Sequence, residues 1–126
     1  MSTQITIIPG HPDPAGGHLC HALAQAYAEG AREAGHELRT VDVAKIQFPL
    51  LRSAHAWQHE PLPPALADAQ DAIRWGDHLV FFFPLWLGDM PALLKGFLEQ
   101  IAREGFAFAK DDGNPMGKKL LKGRTA

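Results

Sequence analysis

Apolar and polar positions along the chain switch between a period of two and a period near 3.6, and the switches predict a β-α-β-α-β-α order. Gln4 to Ile8 is rich in β-branched residues and is broken by Pro9-Gly10, which marks a strand and its stop. Leu19, Leu23, Ala26, Gly30 and Ala34 then recur at helical spacing, with Gly35 placed to end the helix. The small members of that stripe predict a helix lying close against a sheet. His36 to Val43 reads as a second strand, in which Leu38, Val41 and Val43 alternate imperfectly with polar residues. Ala44 to Pro61 has no clear period and reads as a long loop, of a length that often carries function.

Pro63-Pro64 opens a second helix, since proline fits a first turn. Leu66, Ala69 and Ile73 form its inner stripe and Gly76 closes it. His78 to Phe83 is almost wholly apolar, as expected of a central strand covered on both faces. A third helix is expected to start near Met90-Pro91, capped by Asp89, with Leu94, Phe97, Leu98 and Ile101 inward. Glu99 and Arg103 are spaced to pair on it, and Gly105 ends it. Gly105 to Phe108 reads as a short extended piece and Lys110 to Gly117 as a polar loop. Alternating strands and helices predict a parallel sheet with helices on both faces, a three-layer α/β/α arrangement. In the strand order 2-1-3 the loops after Ile8 and Phe83 open side by side at the carboxyl edge, where open α/β sheets bind ligands.

Composition narrows the class. The 126 residues suit one domain, 1–126, with a core of its own, and a single cysteine, Cys20, excludes an internal disulfide framework and a multi-cysteine zinc site. Fourteen acidic and 12 basic residues give a net charge of -2, which argues against nucleic acid as a partner. The longest apolar stretch, Leu79 to Leu87, contains Pro84 and is far short of the roughly 20 residues of a membrane span. No membrane insertion is expected, and the chain reads as cytoplasmic.

Chemistry is expected in the two loops. The first, Gly10-His11-Pro12-Asp13-Pro14-Ala15-Gly16-Gly17-His18, joins a strand to a helix N-terminus. Gly16 and Gly17 let backbone N–H groups approach an anion, the helix dipole favours negative charge, and His11 and His18 add donors. A tight turn without a ligand is the competing reading. The loop is not G-x-G-x-x-G, and it holds no Ser or Thr before Leu19. The second loop, Pro84-Leu85-Trp86-Leu87-Gly88, offers an apolar edge against which a flat heteroaromatic ring can rest; ordinary packing or a partner contact would use the same residues.

The second loop and the helix after it resemble a known family. Phe83-Pro84-Leu85, then Pro91-Ala92-Leu93-Leu94-Lys95-Gly96, then Gly105-Phe106-Ala107-Phe108, with Gly10-His11-Pro12 after the first strand, is similar to the NAD(P)H:quinone oxidoreductases of flavodoxin-like fold. The likeness runs over nearly the whole chain, and FMN-dependent azoreductases share a weaker version of the second motif. It implies a flavoprotein holding FMN or FAD, with NADH or NADPH as electron donor and a quinone or similar electrophile as acceptor. The reaction would be a ping-pong, two-electron hydride transfer, and the protein a homodimer. The resemblance puts the flavin ring along Pro84, Leu85, Trp86, Leu87 and Gly88. It puts the flavin phosphate at His11, Gly16, Gly17, His18 and Leu19. Lys95 is expected to support the helix or sheet edge rather than the ring. The family's fourth strand would follow Lys118 to Ala126, and the loop after it carries the Tyr and His used in hydride transfer. No catalytic residue is therefore assigned. The chain is expected to be a fragment, or to close the open edge of its third strand through a partner subunit. A non-catalytic module docking on a partner is the alternative; a one-electron carrier is disfavoured by the weak net charge.

Other features read as structural. His55 and His59 share a spacing that suits metal, without a third ligand. Cys20 reads as a packing residue. Lys118, Lys119, Lys122 and Arg124 read as a solvated basic tail. Trp57 and Phe48-Pro49-Leu50-Leu51 either cover the site or serve a dimer interface.

Overall fold

The structure, a computed structural model, describes residues 2–103 and 106, together with the backbone of residues 108–109 and 118–119. Three parallel strands form the sheet: β1 (Gln4–Pro9), β2 (Glu37–Thr40) and β3 (His78–Phe82), in the order β2-β1-β3. The register aligns Ile5 with Leu38 on one side and Ile7 with Val80 on the other. Between the strands lie α1 (Leu19–Glu33), a short α2 (Ala54–His59), α3 (Ala67–Trp75) and α4 (Ala92–Ile101). Two-residue strands β4 (Phe108–Ala109) and β5 (Lys118–Lys119) pair antiparallel, so two lysines of the expected tail belong to a strand. The rest of that tail and the Lys110–Gly117 loop lie outside the described residues.

Side-chain alternation along the strands sorts the core into two layers. Ile5 and Ile7 join Val80 and Phe82 beneath Ala24, Ala28 and Ala31 of α1. Ile8 joins Leu79, Phe81 and Phe83 beneath α3 and α4, where Leu66, Ile73, Leu94 and Phe97 are buried. Thr6 also faces this second layer and is fully buried, yet its hydroxyl donates to the carbonyl of Ala72 at 2.6 Å. That bond removes the cost of burying a hydroxyl. Gly76 ends α3 directly against Thr6, and a Cβ there would collide with it.

Several expectations shift. The α1 face on the sheet is Ala24, Ala28 and Ala31 with Tyr27, one position removed from the expected stripe. Leu19 and Leu23 point outward, 74% and 48% exposed. Alanine lets the helix approach the sheet, so the small residues perform the expected task at neighbouring positions. Strand β2 is shorter than read, because Asp42 turns the chain by accepting from Ala44 N–H at 3.3 Å. β3 is an edge strand among the described residues, and all five of its residues are only partly buried.

The expected long loop contains α2. Ser53 caps it, its hydroxyl accepting from Ala56 N–H at 3.0 Å. No α2 residue is buried, which is why no apolar period marks it. Tertiary bonds hold it: Trp57 Nε1–H donates to Ala102 C=O at 3.0 Å, and the Arg103 guanidinium donates to the carbonyls of Ala56 and Glu60 at 3.1 and 2.7 Å. Arg103 is thus engaged at the end of α2 rather than paired with Glu99. Nearby Phe48 lies edge-on to Phe97, and Leu50 lies against Gly96. Trp57 and the Phe48–Leu51 turn therefore cover α4, not the turn after β3.

Candidate functional site

The carboxyl ends of β1 and β3 are neighbours, and the loops that leave them meet. Gly10 N–H donates to Phe82 C=O at 2.7 Å, tying the first loop to β3. Gly10 also passes close over α4: a Cβ on it would stand 2.7 Å from Leu94 Cδ2. Any larger residue would have to displace the buried Leu94 side chain for the first loop to cross there. The result is an edge-on approach of His11 to Trp86, ring centroids 5.8 Å apart at 82°. The two loops singled out in the sequence thus meet at one edge.

The first loop is braced from within. Asp13 Oδ1 accepts from Ala15 N–H at 2.9 Å, and Asp13 Oδ2 holds His18 Nε2 at 2.8 Å. Asp13 N–H donates to His11 Nδ1 at 3.1 Å. His18 stacks flat on His11, centroids 4.1 Å apart and 11° between planes. His21, one turn into α1, accepts the His18 N–H on Nδ1 at 3.2 Å and lies 5.1 Å from the His11 ring. His21 thus joins the cluster, although sequence reasoning weighed it only as one of a histidine pair; its place three positions after the N-cap is the available signal. Gly16 and Gly17 take φ of +77° and +83°, which L side chains rarely adopt.

Charge follows from these contacts. Burial, with the neighbouring His18 and His21, pushes the His11 pKa below its ordinary value. The hydrogen bond from His18, then that from Ala15 N–H, pulls the Asp13 carboxyl down. Neutral His11 and ionised Asp13 are therefore the favoured forms.

The second loop is its opposite. Trp86 and Asp89 exchange backbone hydrogen bonds at 2.8 and 3.3 Å around Leu87 and Gly88. Both central residues have positive φ, +54° and +80°, as in a type I′ turn. For Leu87 this is strained, at a cost of about 1–2 kcal/mol. The side chain is fully exposed, as are most of Leu85 and half of Trp86. Strain held under an exposed apolar side chain is the kind of outlier that marks a functional turn. Asp89 shapes this turn, its Oδ1 accepting from Met90 N–H at 2.7 Å, while Pro91 takes the N-cap position of α4 expected of Asp89.

The other candidates lie apart. His55 and His59 do share a helical turn, rings 4.7 Å apart, but no group of three metal-ligating side chains occurs among the described residues. A groove of about 620 Å³ opens between β2 and α3, beside Arg39, Asp42, Lys45 and Asp71. Most of its charges are partnered: Lys45 with Asp42 at 3.7 Å, Asp71 with Arg74 at 3.3 Å, and Arg39 over the Trp75 ring, while Asp68 also lines it. The carboxyl edge instead gathers three stacked or tilted histidine rings beside exposed apolar side chains. Among the described residues no helix is long and apolar enough to cross a membrane.

The sequence matches the flavodoxin-like fold family over residues 3–126, and the chain belongs to that family. It is 29% identical to a ribosyldihydronicotinamide dehydrogenase-like protein of Penicillium crustosum, over 98% of this chain and 55% of that protein. It is also 29% identical to the NAD(P)H:quinone oxidoreductase of Methanothermobacter marburgensis, with a TM-score of 0.73 over 86% of this chain and 57% of that one. An FMN-dependent NADH-azoreductase of Bacillus anthracis, solved in complex with FMN, shares the fold at 17% identity and a TM-score of 0.67, over 97% of this chain and 65% of that one. The chain spans about half the length of the curated relatives it matches.

Proposed function

We propose that this chain is a flavin-binding unit of an NAD(P)H:quinone oxidoreductase. Residues 1–126 form a single flavodoxin-like domain that corresponds to the first part of the relatives' domain. The observation that carries this reading is the meeting of a donor-rich loop and an exposed apolar turn at one sheet edge, with His11 5.8 Å from Trp86. A flavin has the matching shape: a flat apolar ring at one end and an anionic phosphate at the other. The buried His11 has a ring N–H with no acceptor among the described residues, and Gly16 and Gly17 turn their backbone without side chains in the way. The residues present therefore fit the group.

When bound, the flavin would supply the two-electron hydride chemistry between NADH or NADPH and a quinone or similar electrophile. The chain's own residues hold and orient it. Pro84, Leu85, Trp86, Leu87 and Gly88 form the edge for the ring. His11, Gly16, Gly17, His18 and Leu19 line the phosphate end, where the N-terminus of α1 favours negative charge. The names of the relatives support the donor and the acceptor, and a fold neighbour solved with FMN supports a flavin, FMN or FAD. A cytoplasmic homodimer is part of the same reading.

The purified chain, mixed with FMN or FAD, is expected to quench flavin fluorescence and to carry the yellow absorbance through gel filtration. A protein that takes up neither flavin overturns the reading. The edge of β3, unpaired among the described residues, favours a second one, a non-catalytic module docking on a partner. NADH oxidation with menadione in the presence of excess flavin excludes that alternative.

A further inference from the structure

The hydrogen bonds of the first loop fix where each imidazole carries its proton. Asp13 N–H donates to His11 Nδ1, so in neutral His11 the ring proton is on Nε2. His18 N–H donates to His21 Nδ1, so neutral His21 also carries its proton on Nε2. His18 Nε2 faces Asp13 Oδ2, which can only accept, so His18 carries its proton on Nε2 as well. The three rings then differ in what remains. The Nε2–H of His18 is engaged by Asp13, and neutral His18 has only a lone pair left at Nδ1. The Nε2–H groups of His11 and His21 have no acceptor among the described residues. His11 is only 8% exposed, and a buried donor without an acceptor is costly. The His21 ring presents its Cδ2, the carbon bonded to Nε2, toward Gly16, 3.8 Å from where a Cβ would sit.

We propose that His21, together with His11, recognises the phosphate group of the bound flavin through its Nε2–H donor, and that His18 serves as a brace rather than as a ligand. This rests on the flavin reading above. It moves the second imidazole donor from the N-cap residue to one inside the first turn of α1. His21 also ties recognition to the fold, because its Nδ1 holds the N-cap N–H of the same helix. Metal is a poor match, since the Nδ1 lone pairs of His11 and His21 already accept backbone N–H groups.

The test compares FMN with riboflavin, which lacks the phosphate. His21→Asn can still accept the His18 N–H but lacks the Nε2–H donor. It is expected to weaken FMN by about tenfold to a hundredfold, as for loss of a hydrogen bond to a charged group. Riboflavin affinity is expected to change less than about twofold, with the circular dichroism of the protein unaltered. His18→Asn is expected to shift the FMN-to-riboflavin ratio less than His21→Asn does. Equal loss of both flavins, an unchanged ratio, or a larger effect at His18 overturns the proposal. Titration with inorganic phosphate, followed on the imidazole proton resonances, gives a readout free of flavin. Shifts at His11 and His21 that exceed those at His18 support the proposal, and their absence overturns it. If the chain binds neither flavin yet shows those shifts, the flavin reading fails and the phosphate site stands.

Discussion

The two loops at the carboxyl edge solve the same steric problem in opposite ways. The Gly10–His18 loop places glycine where φ is positive and bonds three of its backbone N–H groups to the side chains of Asp13, His11 and His21. The Leu85–Asp89 turn places a leucine at positive φ and leaves it fully exposed. The first has a relaxed backbone braced by internal bonds and keeps ring donors free; the second stores strain and displays apolar surface. A ligand with a polar end and an apolar end accounts for both. The polar loop can keep its shape before binding, whereas burial of the apolar turn needs a partner surface.

The largest expected effect falls on the seam beneath both loops. Leu94 is fully buried under Gly10. Leu94→Ala is expected to lower unfolding stability by about 2–5 kcal/mol, measured by urea denaturation. Gly10→Val attacks the same seam by overpacking and is expected to cost about 1–3 kcal/mol. If either variant is as stable as the parent, the two loops are not held together through α4.

Exchanging the backbone choices of the loops is expected to give smaller changes of opposite sign. Leu87→Gly releases the left-handed strain at some cost in chain entropy, and a gain of about 0.5–1 kcal/mol is expected. The same change removes apolar surface, so flavin affinity is expected to fall while the melting temperature rises. Gly17→Ala meets no neighbouring atom and reports backbone strain alone, with a loss of about 1–2 kcal/mol. Equal signs for the two changes would remove the contrast between the loops.

The smallest effect is expected from pH, and it belongs to the polar loop. The His11 pKa is lowered in the fold, so as pH falls below about 6.5 the unfolded chain takes up a proton that the folded chain refuses. Stability from His11 is complete above that range and declines as the pH drops through it. The Asp13 pKa is also lowered, so its contribution is present above the ordinary carboxylate range and is lost on further acidification. The urea midpoint is expected to be lower at pH 5.5 than at 7.5, with a smaller difference in His11→Phe. A slope unchanged by that substitution would disconnect His11 from the pH response.

Much of the fold was legible in the residues. Three strands and the helices starting near Leu19, Pro64 and Pro91 follow from periods and breakers, whereas crossover rules leave a few strand orders and the family resemblance selects 2-1-3. Two features escaped that reading for physical reasons. The inward face of α1 is alanine-rich, so the larger Leu19 and Leu23 dominated the apparent stripe although they face outward. Helix α2 has no buried residue, so its support from Trp57 and Arg103 is a long-range matter that no local period records.

The division at the site is similar. By itself the sequence singled out the two segments as candidates, because glycine, histidine and an apolar turn next to strand ends are local signals. Only the tertiary structure decided which histidines remain available. Asp13 engages His18, while His11 and His21 turn their Nδ1 atoms to backbone N–H groups. Such assignments depend on distances between side chains and backbone within a folded loop, and linear spacing does not encode them. The seam between Gly10 and Leu94, residues far apart in sequence, is what brings the polar loop and the strained turn to one edge.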